Sequence, residues 1–176
     1  MRYAIKTLLL SLSLVVAAPH AIAGLDDLDE LQSKIGKDWV FVKNDQRHGF
    51  KTYAKQEDGK RFRSFKAEGV FNASVGSFIR MATDFDNMKK WTWHAIDSKL
   101  LKKVSATEYY FYVTHDSPYG VPDRDVALHM IFEPQSKGKP YITMTVRAVP
   151  DYIPEKPPFV RMTAEEMNVK ITPLPD

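Results

Sequence analysis

The side chains able to do acid–base, nucleophilic or metal chemistry are few and dispersed. There is no cysteine, which excludes thiolate nucleophiles, cysteine-ligated metals and any disulfide framework. No Gly-x-Ser-x-Gly elbow, phosphate-binding glycine loop or His-Glu-x-x-His helix occurs, so the signatures of serine hydrolases, nucleotide binders and zinc peptidases are missing. His48, His94, His115 and His129 are far apart in the chain, and a metal would need them to converge from separate strands; no metal site and no cofactor is expected. Glu165-Glu166 is a pair of carboxylates, but neighbours on an extended strand point to opposite faces, so they read as turn or surface charges. His115-Asp116 is the place to look for proton transfer, because histidine titrates near neutrality. The residue inventory therefore favours a binding protein over an enzyme.

The elements that must position these groups come in two textures. Leu25, Leu28, Leu31 and Ile35 recur at helical spacing and stop at Gly36, which predicts a short amphipathic helix. From Trp39 the pattern becomes that of strands: Trp39–Lys43, Gly49–Ala54 and Arg61–Phe71, the last two joined by a hairpin at Glu57-Asp58-Gly59-Lys60. Val75, Phe78, Ile79, Ala82 and Phe85 then form one helical stripe, with Ser74 placed as its cap and Asp84-Phe85-Asp86 ending it. A loop through Trp91-Thr92-Trp93-His94 leads to strands at Lys99–Val104, Glu108–His115 and Arg124–Glu133. A hairpin at Ser136–Lys139 leads on to Tyr141–Val149. Pro150–Pro158 holds four prolines and must be a surface loop; Phe159–Met162 and Met167–Leu174 are the last predicted strands. Many antiparallel strands with few helices define an α+β domain with the helices on one side of the sheet.

The first 23 residues read as a secretory signal peptide: Arg2 and Lys6, an apolar run of 12 residues from Thr7 to Ala18, and small residues at Ala21-Ile22-Ala23. A bilayer-spanning helix takes ~20 residues, so a permanent anchor is the weaker reading. The expectation is an exported, periplasmic protein whose residues 24–176 form one domain. Loss of Arg2 and Lys6 lowers the formal charge from +3 to +1, which argues against nucleic acid as a partner. Lys99-Leu100-Leu101-Lys102-Lys103 and Arg61-Phe62-Arg63 are solvated strand faces or points of transient contact with an anionic membrane. Oligomeric state is not legible.

One stretch is more specific. Pro118-Tyr119-Gly120-Val121-Pro122-Asp123-Arg124-Asp125 runs into Val126-Ala127-Leu128-His129-Met130-Ile131-Phe132, and this resembles the Arg-Asp strand of START (StAR-related lipid-transfer) domains. Asp84 followed by Trp91, and Phe159-Val160-Arg161 followed by Ile171-Thr172-Pro173-Leu174, are similar to that family's landmarks in the family's order, over residues 39–176. The resemblance implies a helix-grip fold, a curved antiparallel sheet around a C-terminal lid helix, holding one lipid between them. The sequence ends where the family pattern would continue through a further strand or two into that helix, so a C-terminally incomplete, bacterial exported member is expected.

The strand faces can be read beside the resemblance. Val126, Leu128, Met130 and Phe132 make one face wholly apolar, and Ile142, Met144, Val146 and Ala148 make a second apolar ladder. Such faces bury against a helix core or against a ligand, and the adaptable thioethers of Met130 and Met144 favour the ligand. Some family members hold an acid and a base inside the tunnel; the basic position matches Met130 here, and the acid falls at His115 or Asp116. Polar anchors are then sought among Tyr112, His115, Asp116, His129 and Arg147. Arg124 and Asp125 either lock the turn by a forked hydrogen bond or touch ligand; Trp91 and Trp93 are core, rim or lid. The expected ligand-binding set is Tyr112, His115, Asp116, Arg124, Val126, Leu128, Met130, Met144, Val146 and Arg147. The alternatives are a protein-interaction module with an open apolar groove and a cyclase- or hydrolase-like enzyme using His115 and Asp116.

Overall fold

The computed structural model describes residues 38–56, 59 and 63–175. The expected signal peptide and the helix at residues 25–35 lie outside them. The chain divides into two compact units, residues 1–71 and 72–176.

In the first unit, β1 (Val40–Asp45), β2 (Phe50–Lys55) and β3 (Ser64–Gly69) form an antiparallel meander in the order β1-β2-β3. The β1–β2 turn closes with the Gly49 N–H donating to the Asp45 carbonyl at 2.9 Å, while Gly49 takes φ +74°, a conformation glycine adopts without a Cβ clash. Trp39 lies under two ammonium groups, Lys55 at 4.9 Å and Lys66 at 5.5 Å from its ring centre.

The second unit opens with α1 (Val75–Ala82), whose Ser74 Oγ accepts from the Ser77 N–H at 3.1 Å, the expected cap. The predicted helix stripe is divided in two: α1 stops at Thr83, and Phe85–Lys90 continues as a separate 3-10 helix. The buried Ser98 hydroxyl clips that helix to β4, donating to the Phe85 carbonyl at 2.6 Å and accepting from the Lys89 N–H at 3.2 Å.

Six strands follow: β4 (Ala95–Lys103), β5 (Glu108–His115), β6 (Arg124–Glu133), β7 (Ile142–Ala148), β8 (Val160–Arg161) and β9 (Glu166–Ile171). Their order is β4-β5-β6-β7-β9, antiparallel throughout, with β8 added parallel to the start of β6 through Arg124↔Val160 and Asp125↔Arg161. The loop after β7 carries the chain back beside its own start, so β8 runs in the direction of β6; nothing in the local sequence pattern signals that parallel pair. The β6–β7 connection turns at Ser136–Lys139, with Gly138 at φ +85°. No helix among the described residues is long and apolar enough to cross a membrane.

Candidate functional site

One face of the β5–β7 sheet is an apolar wall. Tyr109, Phe111 and Val113 on β5, Val126, Leu128, Met130 and Phe132 on β6, and Met144 and Val146 on β7 are all buried in one cluster with Ala82, Phe85 and Met88. The register explains it: Phe111↔Leu128, Met130↔Val146 and Phe132↔Met144 are cross-strand pairs, which share a face. Phe85 from the 3-10 helix packs on the wall, its ring centre 5.1 Å from that of Phe111 and 5.5 Å from that of Tyr109. Five of the expected ligand-binding residues, Val126, Leu128, Met130, Met144 and Val146, therefore come together here.

The opposite face carries a polar network where β6 begins. Asp125 is fully buried, and the Arg161 guanidinium forks onto it, Nε to Oδ1 at 2.9 Å and Nη2 to Oδ2 at 3.0 Å. Tyr112 donates its hydroxyl to Asp125 Oδ2 at 2.8 Å. The remaining guanidinium donors reach the loop after β7: Nη1 donates to the carbonyls of Pro150 and, at 2.9 Å, Ile153, and Nη2 donates to that of Pro154 at 3.0 Å. The guanidinium beside it holds the Asp125 carboxyl below its ordinary range, against the opposing effect of burial. Burial and the neighbouring Asp125 push the Tyr112 hydroxyl up. Next to this network Tyr110 stacks on His129 at 4.3 Å and on Tyr152 at 4.2 Å, and His129 Nε2 meets Glu108 Oε1 at 2.9 Å.

The Asp of the Arg-Asp pair thus serves as the fold lock that its sequence suggested, but its partner is Arg161 rather than the adjacent Arg124, whose side chain is exposed. Neighbours on a strand face opposite ways, so Arg124 and Asp125 cannot meet, whereas β8 delivers Arg161 directly beside Asp125. Sequence reasoning marked Phe159-Val160-Arg161 as a landmark without seeing this pairing, because 36 residues separate the partners.

The other polar candidates scatter. His115 is half-buried at the end of β5, on the wall's face by its spacing from Val113. Asp116 is exposed, with Oδ2 3.6 Å from His94 Nδ1. Arg147 is exposed and 3.3 Å from Glu166. Trp91 and Trp93 are not in the core, being 46% and 84% exposed. Glu165 differs from the surface charge its sequence suggests: it is half-buried, its Oε2 is buried without a hydrogen-bond partner, and burial pushes its carboxyl up while His115 pulls it down. The reason is register, since Glu165 precedes β9 and its carbonyl accepts from the Ala148 N–H at 2.8 Å, which puts its side chain on the wall side. Among the described residues no group of acids and histidines could hold a metal ion.

Comparison with known proteins agrees with this architecture. No family model matches the chain. An uncharacterized protein of Pseudomonas aeruginosa is 25% identical over 154 residues, covering 88% of this chain and 70% of its own. The crystal structure of a STAR-related lipid transfer protein from Xanthomonas axonopodis superposes with a TM-score of 0.70 at 29% identity, covering 77% of this chain and 73% of that one. The lipid transfer and protein localization domain of human StarD13 has a TM-score of 0.64 at 17% identity, over 90% of this chain and 77% of its own. The chain carries a START-like domain. Its antiparallel sheets and few helices are those of the helix-grip fold.

Proposed function

We propose that this protein binds a lipid or other apolar molecule against the β5–β7 wall, as a carrier rather than an enzyme. The observation that carries the reading is the unbroken apolar wall in a START-like fold, the fold of a bacterial neighbour named for lipid transfer. The wall is already covered by Ala82, Phe85 and Met88, so a ligand seated there replaces their contacts and gains affinity by withdrawing its own apolar surface from water, ~25 cal/mol per Å2 before the cost of ordering ligand and loops. Met130 and Met144 supply side chains that reshape around different ligands. Of the polar candidates, His115 sits on the wall's face and is the best placed to orient a head group, while Tyr112 belongs to the lock on the other face. Export to a periplasm by cleavage after residue 23 completes the proposal.

The test is native mass spectrometry of the full-length gene product made in a bacterium with an intact export system, followed by organic extraction. The expected result is a mature chain starting near residue 24 with one apolar molecule bound. A folded chain that carries nothing and withdraws no lipid from vesicles would overturn the carrier reading; a retained leader would overturn the export reading alone.

A further inference from the structure

From the geometry of the wall's polar end we infer that the Glu165 carboxyl is the head-group anchor of the ligand site, selecting an apolar molecule with an uncharged hydrogen-bonding head such as an alcohol. This inference rests on the carrier reading and deepens it. The Glu165 carbonyl pairs with the Ala148 N–H, one step beyond the Arg147↔Glu166 pair of β7 and β9, so Glu165, Ala148 and Val146 share the wall's face. Ala148 packs on the core cluster and stands opposite Leu128 on β6, which seats the carboxyl at the margin of the apolar surface. Glu165 Oε2 is shut off from solvent with no protein partner, and a buried polar atom in that state is costly until something completes its hydrogen bonds.

The charge balance at this margin argues for an uncharged head. The charged group that acts on the carboxyl is His115 from β5, whose cross-strand partner Arg124 is exposed to solvent. Among the described residues no guanidinium is held there to neutralise an anion, since the buried Arg161 is committed to Asp125 and to three loop carbonyls on the other face. Burial favours the protonated acid. Whether ionised or protonated, the carboxyl accepts a hydrogen bond from a hydroxyl, and in its ionised form it repels a carboxylate.

The experiment measures displacement of a neutral fluorescent naphthylamine from the full-length chain by tetradecanol and by tetradecanoate. The wild type is expected to prefer the alcohol by about tenfold, and Glu165→Leu to lose that preference. A companion measurement needs only folded wild type: the infrared band of the Glu165 carboxyl, assigned by difference against Glu165→Gln, should move when tetradecanol is added. A Glu165→Leu variant that keeps the preference, or a Glu165 band that does not move on saturation with alcohol, would overturn the inference while leaving the carrier reading intact. Failure of the wild type to take up the probe or either competitor would instead bring down the carrier reading and the anchor with it.

Discussion

At the scale of single residues, Asp125 and Arg161 form a buried ion pair that is costly to break from one side. Both are buried, 0% and 5% exposed, and removing one leaves the other as an uncompensated charge. Arg161→Met should therefore cost about 3–5 kcal/mol in urea unfolding. Arg161→Lys should recover little of it, because one ammonium cannot serve both carboxylate oxygens and three carbonyls. Tyr112→Phe removes a single donor to the same carboxylate and should cost about 1.5–3 kcal/mol. The Pro-Gly turn into Arg124-Asp125 was legible because proline and glycine mark such turns locally, and the apolar alternation beyond it because strands have a period of two. Arg161 as a partner was not, since no local pattern specifies which strand will return beside β6. Glu165 was misread for a related reason: its environment is set by pairing with Ala148, across a connection that periodicity does not describe.

At the scale of elements, the 3-10 helix Phe85–Lys90 is held by the Ser98 hydroxyl and by its buried Phe85 and Met88 side chains. Ser98→Ala would leave the Phe85 carbonyl and the Lys89 N–H without that partner and should cost about 1–3 kcal/mol, whereas Ser74→Ala at the exposed α1 cap should cost about 1 kcal/mol. Thermal melts of the two variants, measured side by side, check the ranking. The sequence predicts β5 and β6 with the bounds the structure gives, because each is a run of eight residues or more rich in aromatic and β-branched or other apolar side chains between turn signals. The helix stripe through Phe85 was read as continuous because the apolar period runs on past Thr83, although the backbone changes its hydrogen bonding there. Leu128 and Met144 are each 3% exposed, so a charge placed at either should unfold the sheet as well as block a ligand, and a loss of cooperative unfolding would show it.

At the scale of the whole molecule, Asp125 and Glu165 give stability opposite slopes with pH. The Asp125 carboxyl is held down in the folded chain, so its contribution is present above the unfolded value near 3.9 and is lost as pH falls through the lower folded value. The Glu165 carboxyl is pushed up, so its contribution is complete below the unfolded value near 4.3 and declines as pH rises through the higher folded one. Urea midpoints measured from pH 3 to pH 9 should therefore peak in the mildly acidic range, and Glu165→Gln should flatten the alkaline limb without altering the acid one. The Arg161 anchor has a different kind of consequence. It grips the loop after β7 by the carbonyls of Pro150, Ile153 and Pro154, groups that every amino acid possesses. Over evolutionary time that loop is free to change most of its side chains while keeping its path, Tyr152 with its stacking on Tyr110 excepted. Among diverged copies of the gene, the constraint would be written at Asp125 and Arg161, and most of the loop they hold would look unconserved.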